Sequence, residues 1–291
     1  MSITISRAVS KSFGYAGMAL LVLLVGVPVF WLITGAMKTN PEFYTPNPQL
    51  LPLTFNLTNF PIAWNSAPFG QYYINSFVTT LLGTLAEVIM AVTTAYALVF
   101  VRFPFRNAAF VLLLVALMVP EQVVIIPNFL TIGNMGLLVT KSGDLSFVDY
   151  LRGWAAVFLP GASIAFGTFL LRQYFRTIPY DLTDAAKVDG ANHFTTMVNV
   201  IVPVATPAIA TSGLLSFTAK WNDYLWPLIV TFVDNLRTLP VAVTRLLDAE
   251  GNAQWGVLMA ATIFLVVPVV FVFLFAQRYV VDGLASGAVK G

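Results

Sequence analysis

The sequence predicts an all-α, polytopic membrane protein with six transmembrane helices and a short helical segment on the cytoplasmic surface. Three observations predict it. Of 291 residues, 58% are hydrophobic and only 10% are charged, well below the roughly 25% that covers a soluble domain. Six segments approach the roughly 20 apolar residues that cross a bilayer. The longest polar stretch, "DAAKVDGANHFTTMVNVIVP", falls between the fourth and fifth of them.

The segments follow in order. Residues 15–37 carry no charge and lack a small-residue cleavage site, so they read as an uncleaved helix rather than a signal peptide. Residues 74–101 contain one charge, Glu87, and residues 108–130 contain Glu121 after Pro120. Residues 154–171 have none. Residues 204–232 hold Lys220 and Asp223, and residues 256–276 have none. No internal repeat or separate soluble domain is visible, so the whole chain, 1–291, reads as one membrane domain.

An even number of spans puts both termini on one side. That side holds Arg7, Lys11, Arg102, Arg106, Arg172, Arg176, Lys187, Arg278 and Lys290. The other side holds Lys38, Lys141, Arg152, Arg237 and Arg245. The excess of Lys and Arg in short loops marks the cytoplasm, so both termini and the polar segment are expected there.

Several functions are excluded or disfavoured by what is missing. There is no cysteine and one histidine, His193, so no disulfide framework or thiolate metal site can form. No G-x-x-x-x-G-K-[ST] occurs, so ATP is not bound through a P-loop of this chain. A net charge of +2 does not suggest nucleic acid. No catalytic constellation is present.

The polar segment, about 179–203, reads as helix–Gly–helix. Asp181 or Thr183 would cap the first helix, Gly190 would end it, and Phe194, Met197 and Val198 would give the second an apolar stripe. Pro203 and Pro207 mark the return to the membrane. From pattern alone an interfacial linker fits equally well.

Charges within spans are costly and point to function. Lys220 and Asp223 are three apart, so on one helix they share a face and can pair. Lys220 would lie about 20 Å along the axis from Pro207, roughly two thirds across the bilayer core. Trp221, Asn222 and Tyr224 surround the two. Glu87 and Glu121 are expected to line a cavity, to bond to a partner or to hold helices together.

The polar segment also carries a resemblance. Asp184-Ala185-Ala186, then Gly190, then Val200-Ile201-Val202-Pro203 resembles the E-A-A-x-x-x-G loop of ATP-binding-cassette importer permeases, with full spacing and Asp for the leading Glu. "INSFVTT" (74–80), "MVPEQVVIIPNF" (118–129), "WNDYLWPLIV" (221–230) and the terminal "GLASGAVKG" (283–291) resemble the second permease of carbohydrate importers of the maltose type. "AFGTFLLRQYF" (165–175) and "GNMGLLVT" look most like the glycerol-3-phosphate importer's second permease. The likeness covers nearly the whole chain.

The resemblance implies a permease subunit that makes half of a translocation path for glycerol-3-phosphate, a glycerophosphodiester or a related sugar or polyol. A maltose- or trehalose-type disaccharide importer is the alternative, with a stand-alone secondary transporter behind it. It implies a bacterial inner-membrane location and three kinds of partner: a homologous permease, two cytoplasmic ATPases and an extracytoplasmic binding protein. Membrane lipid surrounds the assembly. This chain would bind no cofactor, and ATP and Mg would sit on the ATPases. Asp184, Ala185, Ala186, Asp189, Gly190 and Phe194 would belong to a coupling helix seated on an ATPase. Ala288, Val289, Lys290 and Gly291 would reach the cleft between the two ATPases. Lys220, Trp221, Asn222, Asp223 and Tyr224 would face the path, Trp221 stacking on a ligand and Lys220 meeting a phosphate.

Overall fold

The structure is a computed structural model, and it describes residues 2–47, 49–141, 143–160, 164–246 and 254–288. The side chains of 2–13, 164 and 278–288 are not described. The described residues form helices and no strands. In chain order these are α1 (Ser2–Gly35), α2 (Asn59–Asn65), α3 (Phe69–Phe100), α4 (Arg106–Leu117), α5 (Glu121–Asn134), α6 (Phe147–Phe158) and α7 (Ile164–Phe175). Then follow α8 (Tyr180–Val188), α9 (His193–Thr196), α10 (Val202–Val204), α11 (Thr206–Trp221), α12 (Leu225–Val230), α13 (Leu239–Thr244) and α14 (Trp255–Ala288).

Three helical stretches, 14–35, 69–100 and 255–277, are long and apolar enough to cross a membrane, and two bent helix pairs raise the number to as many as five. The sequence reading anticipated single spans at 108–130, kinked at Pro120, and at 204–232. Both are broken instead. α4 and α5 meet at 98°. The break falls at Pro120, which has no N–H to give and takes ψ 135, outside the helical range. α11 ends at Trp221, with Asn222 at φ −90 and ψ 0, and α12 starts only after Tyr224. The segment 154–171 falls partly on α6 and partly on α7.

The chain forms two compact units, one of residues 1–69 with 243–267, the other of residues 70–242 with 268–291. In the first, the Asn59 amide donates to the carbonyls of Ala36 (2.9 Å) and Lys38 (2.8 Å). Asn59 so satisfies carbonyls left open where α1 ends. The rings of Phe60, Trp64 and Phe69 pack edge-on against Phe264, centroids 5.4–6.1 Å apart. Lys38 is buried, with its ammonium 3.9 Å from the Trp31 ring centroid and bonded to the Gln49 carbonyl.

The second unit holds the core that positions the functional residues. Ala91, Val92, Ala95, Tyr96 and Val99 of α3 pack on Leu171 and Phe175 of α7 and on Met197, Ile201, Ala205 and Ala208. Small side chains let these helices approach closely. A Cβ on Gly167 of α7 would stand 2.9 Å from the Ala91 Cβ, so only glycine fits there. A second cluster joins Ile132 of α5, Ala156 and Val157 of α6, and Trp226 and Val230 of α12. Asn75 of α3 is fully buried. It donates to the carbonyls of Asn235 and Arg237 and accepts from the Trp154 indole at 2.9 Å.

Candidate functional site

The intramembrane charges assemble where α3 passes α11. Ser216 and Lys220, one turn apart on α11, both reach one oxygen of Glu87. The Ser216 hydroxyl donates at 2.8 Å, and the Lys220 ammonium lies 2.9 Å away. Both charged side chains are largely buried, at 16% and 11% exposure. Gly83, one turn before Glu87, makes room for the lysine stem, since a Cβ there would lie 2.9 Å from Lys220 Cδ. A buried charge needs a partner and further hydrogen bonds, and this cluster supplies both.

The pairing corrects the sequence expectation that Lys220 pairs with Asp223. The i,i+3 relation requires one continuous helix, and α11 stops at Trp221. Asp223 instead accepts from the backbone N–H groups of Leu225 and Trp226 at the start of α12. These are open donors of a helix end.

Glu87, Glu121, Ser216, Lys220, Asn222, Asp223 and Tyr224 border one cavity of about 1000 Å³. Trp221 does not border it. It is 1% exposed and stacks on Phe217 at 5.8 Å, with Tyr73 at 6.5 Å. The expectation that Trp221 stacks on a ligand is therefore corrected; its indole is already covered by rings. Ser216 was missed by the sequence reading. Its spacing of four from Lys220 was the available signal.

The polar segment has a defined turn. α8 begins at Tyr180 after Pro179, which occupies the cap position, so Asp181 and Thr183 lie inside the helix rather than capping it. The Thr183 hydroxyl turns back to the Tyr180 carbonyl at 2.8 Å. At the other end, Ala191 N–H bonds the Ala186 carbonyl (2.9 Å) and Gly190 N–H bonds the Lys187 carbonyl (3.0 Å). This is a Schellman cap. Gly190 takes φ 80, the left-handed region where a side chain is strained.

Asp184, Ala185, Asp189 and Gly190 are exposed, as is Phe194 at 70%, while Ala186 packs inward. Asp184 pairs with Lys187 at 2.8 Å. Asn192 caps α9 by accepting from Thr195 N–H at 2.9 Å. His193 meets the Tyr96 hydroxyl of α3 at 3.2 Å. Residues Met197–Ile201 form a π-turn, which periodicity alone does not reveal, and an 83° bend then leads into α11. Ala288 is the last described helical residue, and Val289, Lys290 and Gly291 lie outside the described residues.

A helical multi-pass chain with a charged cavity between its helices is the architecture of a membrane transport component. Residues 87–286 match the family described as "Binding-protein-dependent transport system inner membrane component", and the chain belongs to it. It is 32% identical over 272 residues to the sn-glycerol-3-phosphate transport system permease protein UgpE of Yersinia pestis, covering 91% of this chain and 92% of that protein. With UgpE of Agrobacterium fabrum the identity is 29%, covering 97% and 98%. With the probable ABC transporter permease protein YurM of Bacillus subtilis it is 32%, covering 94% and 86%. The fold is similar to a chain of a bacterial ABC transporter involved in the import of the acidic polysaccharide alginate, with a TM-score of 0.77 at 22% identity over 94% of this chain and 98% of that one. The chain is a permease subunit of a binding-protein-dependent importer, multi-pass in the inner membrane.

Proposed function

We propose that this chain forms half of the translocation path for glycerol-3-phosphate or a related polyol or sugar. It does so as one membrane domain of six spans with both termini in the cytoplasm. A homologous permease supplies the other half, and an extracytoplasmic binding protein delivers the substrate. Two ATPases, carrying ATP and Mg, drive the cycle. The segment from Asp184 to Gly190 is the coupling helix. Ala185, Asp189 and Phe194 complete its contact surface, and the tail from Ala288 to Gly291 adds a second contact. The substrate assignment follows the UgpE relatives, which match over more than nine tenths of their length.

The observation that carries the mechanism is the exposed Schellman turn at Gly190, from which the chain runs through α9, a π-turn, α10 and an 83° bend into α11, the helix that bears Lys220. A push at that turn is passed along packed helices to the charged cavity. The test is Gly190→Trp in the complete reconstituted transporter. Coupling predicts ATP hydrolysis without substrate uptake, and wild-type coupling in that variant refutes the assignment.

A specific observation favours the neutral-disaccharide alternative. Among the described residues, the cation on this chain's cavity wall, Lys220, is paired with Glu87, while Glu121 and Asp223 line the same wall. Like charges repel an anion, so a phosphate would find its cation on the partner permease. Competition between glycerol-3-phosphate and maltose or trehalose for uptake by the complete system separates the two readings.

A further inference from the structure

The seam between α4 and α7 carries an arginine cluster outside the charged cavity, and its Arg106 also borders a second cavity of about 890 Å³ with Asp184 and Lys187 of the polar segment. The Arg172 guanidinium lies 3.7 Å from the Phe110 ring centroid. Phe110 in turn stacks on Phe169 at 6.4 Å and 11°. Arg106 is one turn before Phe110, and Arg176 is one turn after Arg172. Arg106 donates through one terminal nitrogen to the Val99 and Val101 carbonyls at 3.3 and 3.5 Å, which leaves other N–H donors of its five open.

Three facts say that this cluster lacks its ligand. The Nε of Arg172 is buried and has no hydrogen-bond partner among the described residues. The charges that act on Arg172 are those of Arg176 and Arg106, both of its own sign. Among the described residues, no carboxylate forms an ion pair with any of the three. A buried, unsatisfied donor costs free energy, and three cations held together repel one another. One anion relieves the repulsion.

The surroundings specify the anion. Phe166 and Phe169 of α7, on the same side of that helix as Arg172 and Arg176, are exposed and apolar. A ligand that fits carries a negative head beside the arginines and a hydrocarbon body along this side of α7. Arginine matches phosphate oxygens in pairs. In the topology proposed above, the cluster stands at the cytoplasmic headgroup level, where anionic lipids concentrate.

We propose that Arg106, Arg172 and Arg176 form a binding site for the phosphate of an anionic phospholipid, with its acyl chains lying along Phe166 and Phe169 of α7.

The experiment uses the intact transporter in nanodiscs of phosphatidylcholine with graded phosphatidylglycerol. Phosphatidylglycerol retained after exchange into neutral detergent is measured by mass spectrometry, for wild type and for R172Q/R176Q. The double variant is expected to retain phosphatidylglycerol about 30-fold more weakly. Equal retention overturns the site. Excess inorganic phosphate at constant ionic strength is expected to leave the lipid bound; complete displacement assigns the site to a soluble phosphate and overturns the lipid. Unchanged lipid retention with loss of the ATPase subunits makes the cluster a protein contact and also overturns it. If the double variant fails to assemble, R176Q alone removes an exposed side chain. It is expected to weaken retention about 5-fold, and no change refutes the proposal.

Discussion

Lys220 of α11 is held 2.9 Å from Glu87 of α3, across 133 residues of chain, with Ser216 donating to the same carboxylate oxygen. Removing either partner strands the other as a buried charge, at about 3 kcal/mol. E87Q and K220M are each expected to lower the thermal stability of the complex, and E87Q/K220M to lose less than either single change. Additive losses in that cycle would show that the two groups do not interact. K220M is further expected to lower uptake of phosphorylated and neutral substrates alike, because its charge is already neutralised.

Gly190 separates backbone strain from docking. No atom lies within 4 Å of a Cβ built on it, so Gly190→Ala meets only the cost of the left-handed conformation, about 1 kcal/mol. That variant is expected to transport nearly normally. Gly190→Trp adds bulk where the proposed ATPase contact lies and is expected to hydrolyse ATP without uptake. Equal behaviour of the two variants would reduce Gly190 to a turn residue.

Gly167 is a close-packed point between α3 and α7. A methyl group there meets Ala91 Cβ at 2.9 Å, so G167A is expected to destabilise by about 1–3 kcal/mol through overpacking. A91G, made together with G167A, returns the space and should restore much of the loss. Melting temperatures of the purified complex decide it; no rescue would place the strain elsewhere.

Glu42 gives a dependence on pH. Burial pushes its carboxyl up, but N–H donation from Leu53 (2.8 Å) and from Thr39 (2.9 Å) pulls it down. The Thr39 hydroxyl (2.7 Å) and the Lys38 charge act in the same direction, and the downward effects win. A carboxyl with a lower folded than unfolded pKa stabilises above the unfolded value and loses that contribution as pH falls through the folded one. Thermal stability is therefore expected to drop below the ordinary glutamate range, and E42Q to flatten that drop. An unchanged slope in E42Q would assign it to other carboxylates.

Membrane class, helical content and the long apolar segments were legible because they rest on composition and run length, which are local properties. The turn at Gly190 was legible too, since glycine spacing and capping chemistry act within a few residues. A kink at Pro120 was legible from the proline, but its size and the break after Trp221 were harder to see. Hydropathy is blind to direction, and an apolar run reads the same whether straight or bent by 98°. The π-turn at Met197–Ile201 has no composition of its own.

The sequence by itself determined that this chain lies in a membrane, that it carries few charges there, and that Asp184–Gly190 forms a capped polar turn. Only the tertiary structure decided which charges meet. Lys220 looked toward Asp223 because they are near in sequence, but α11 ends between them, and the partner came from α3. It likewise decided that Trp221 is packed among rings while Asn222, beside it, borders the cavity. Pairing in a low-dielectric interior is set by distance in space, and spacing along one helix predicts that distance only while the helix continues.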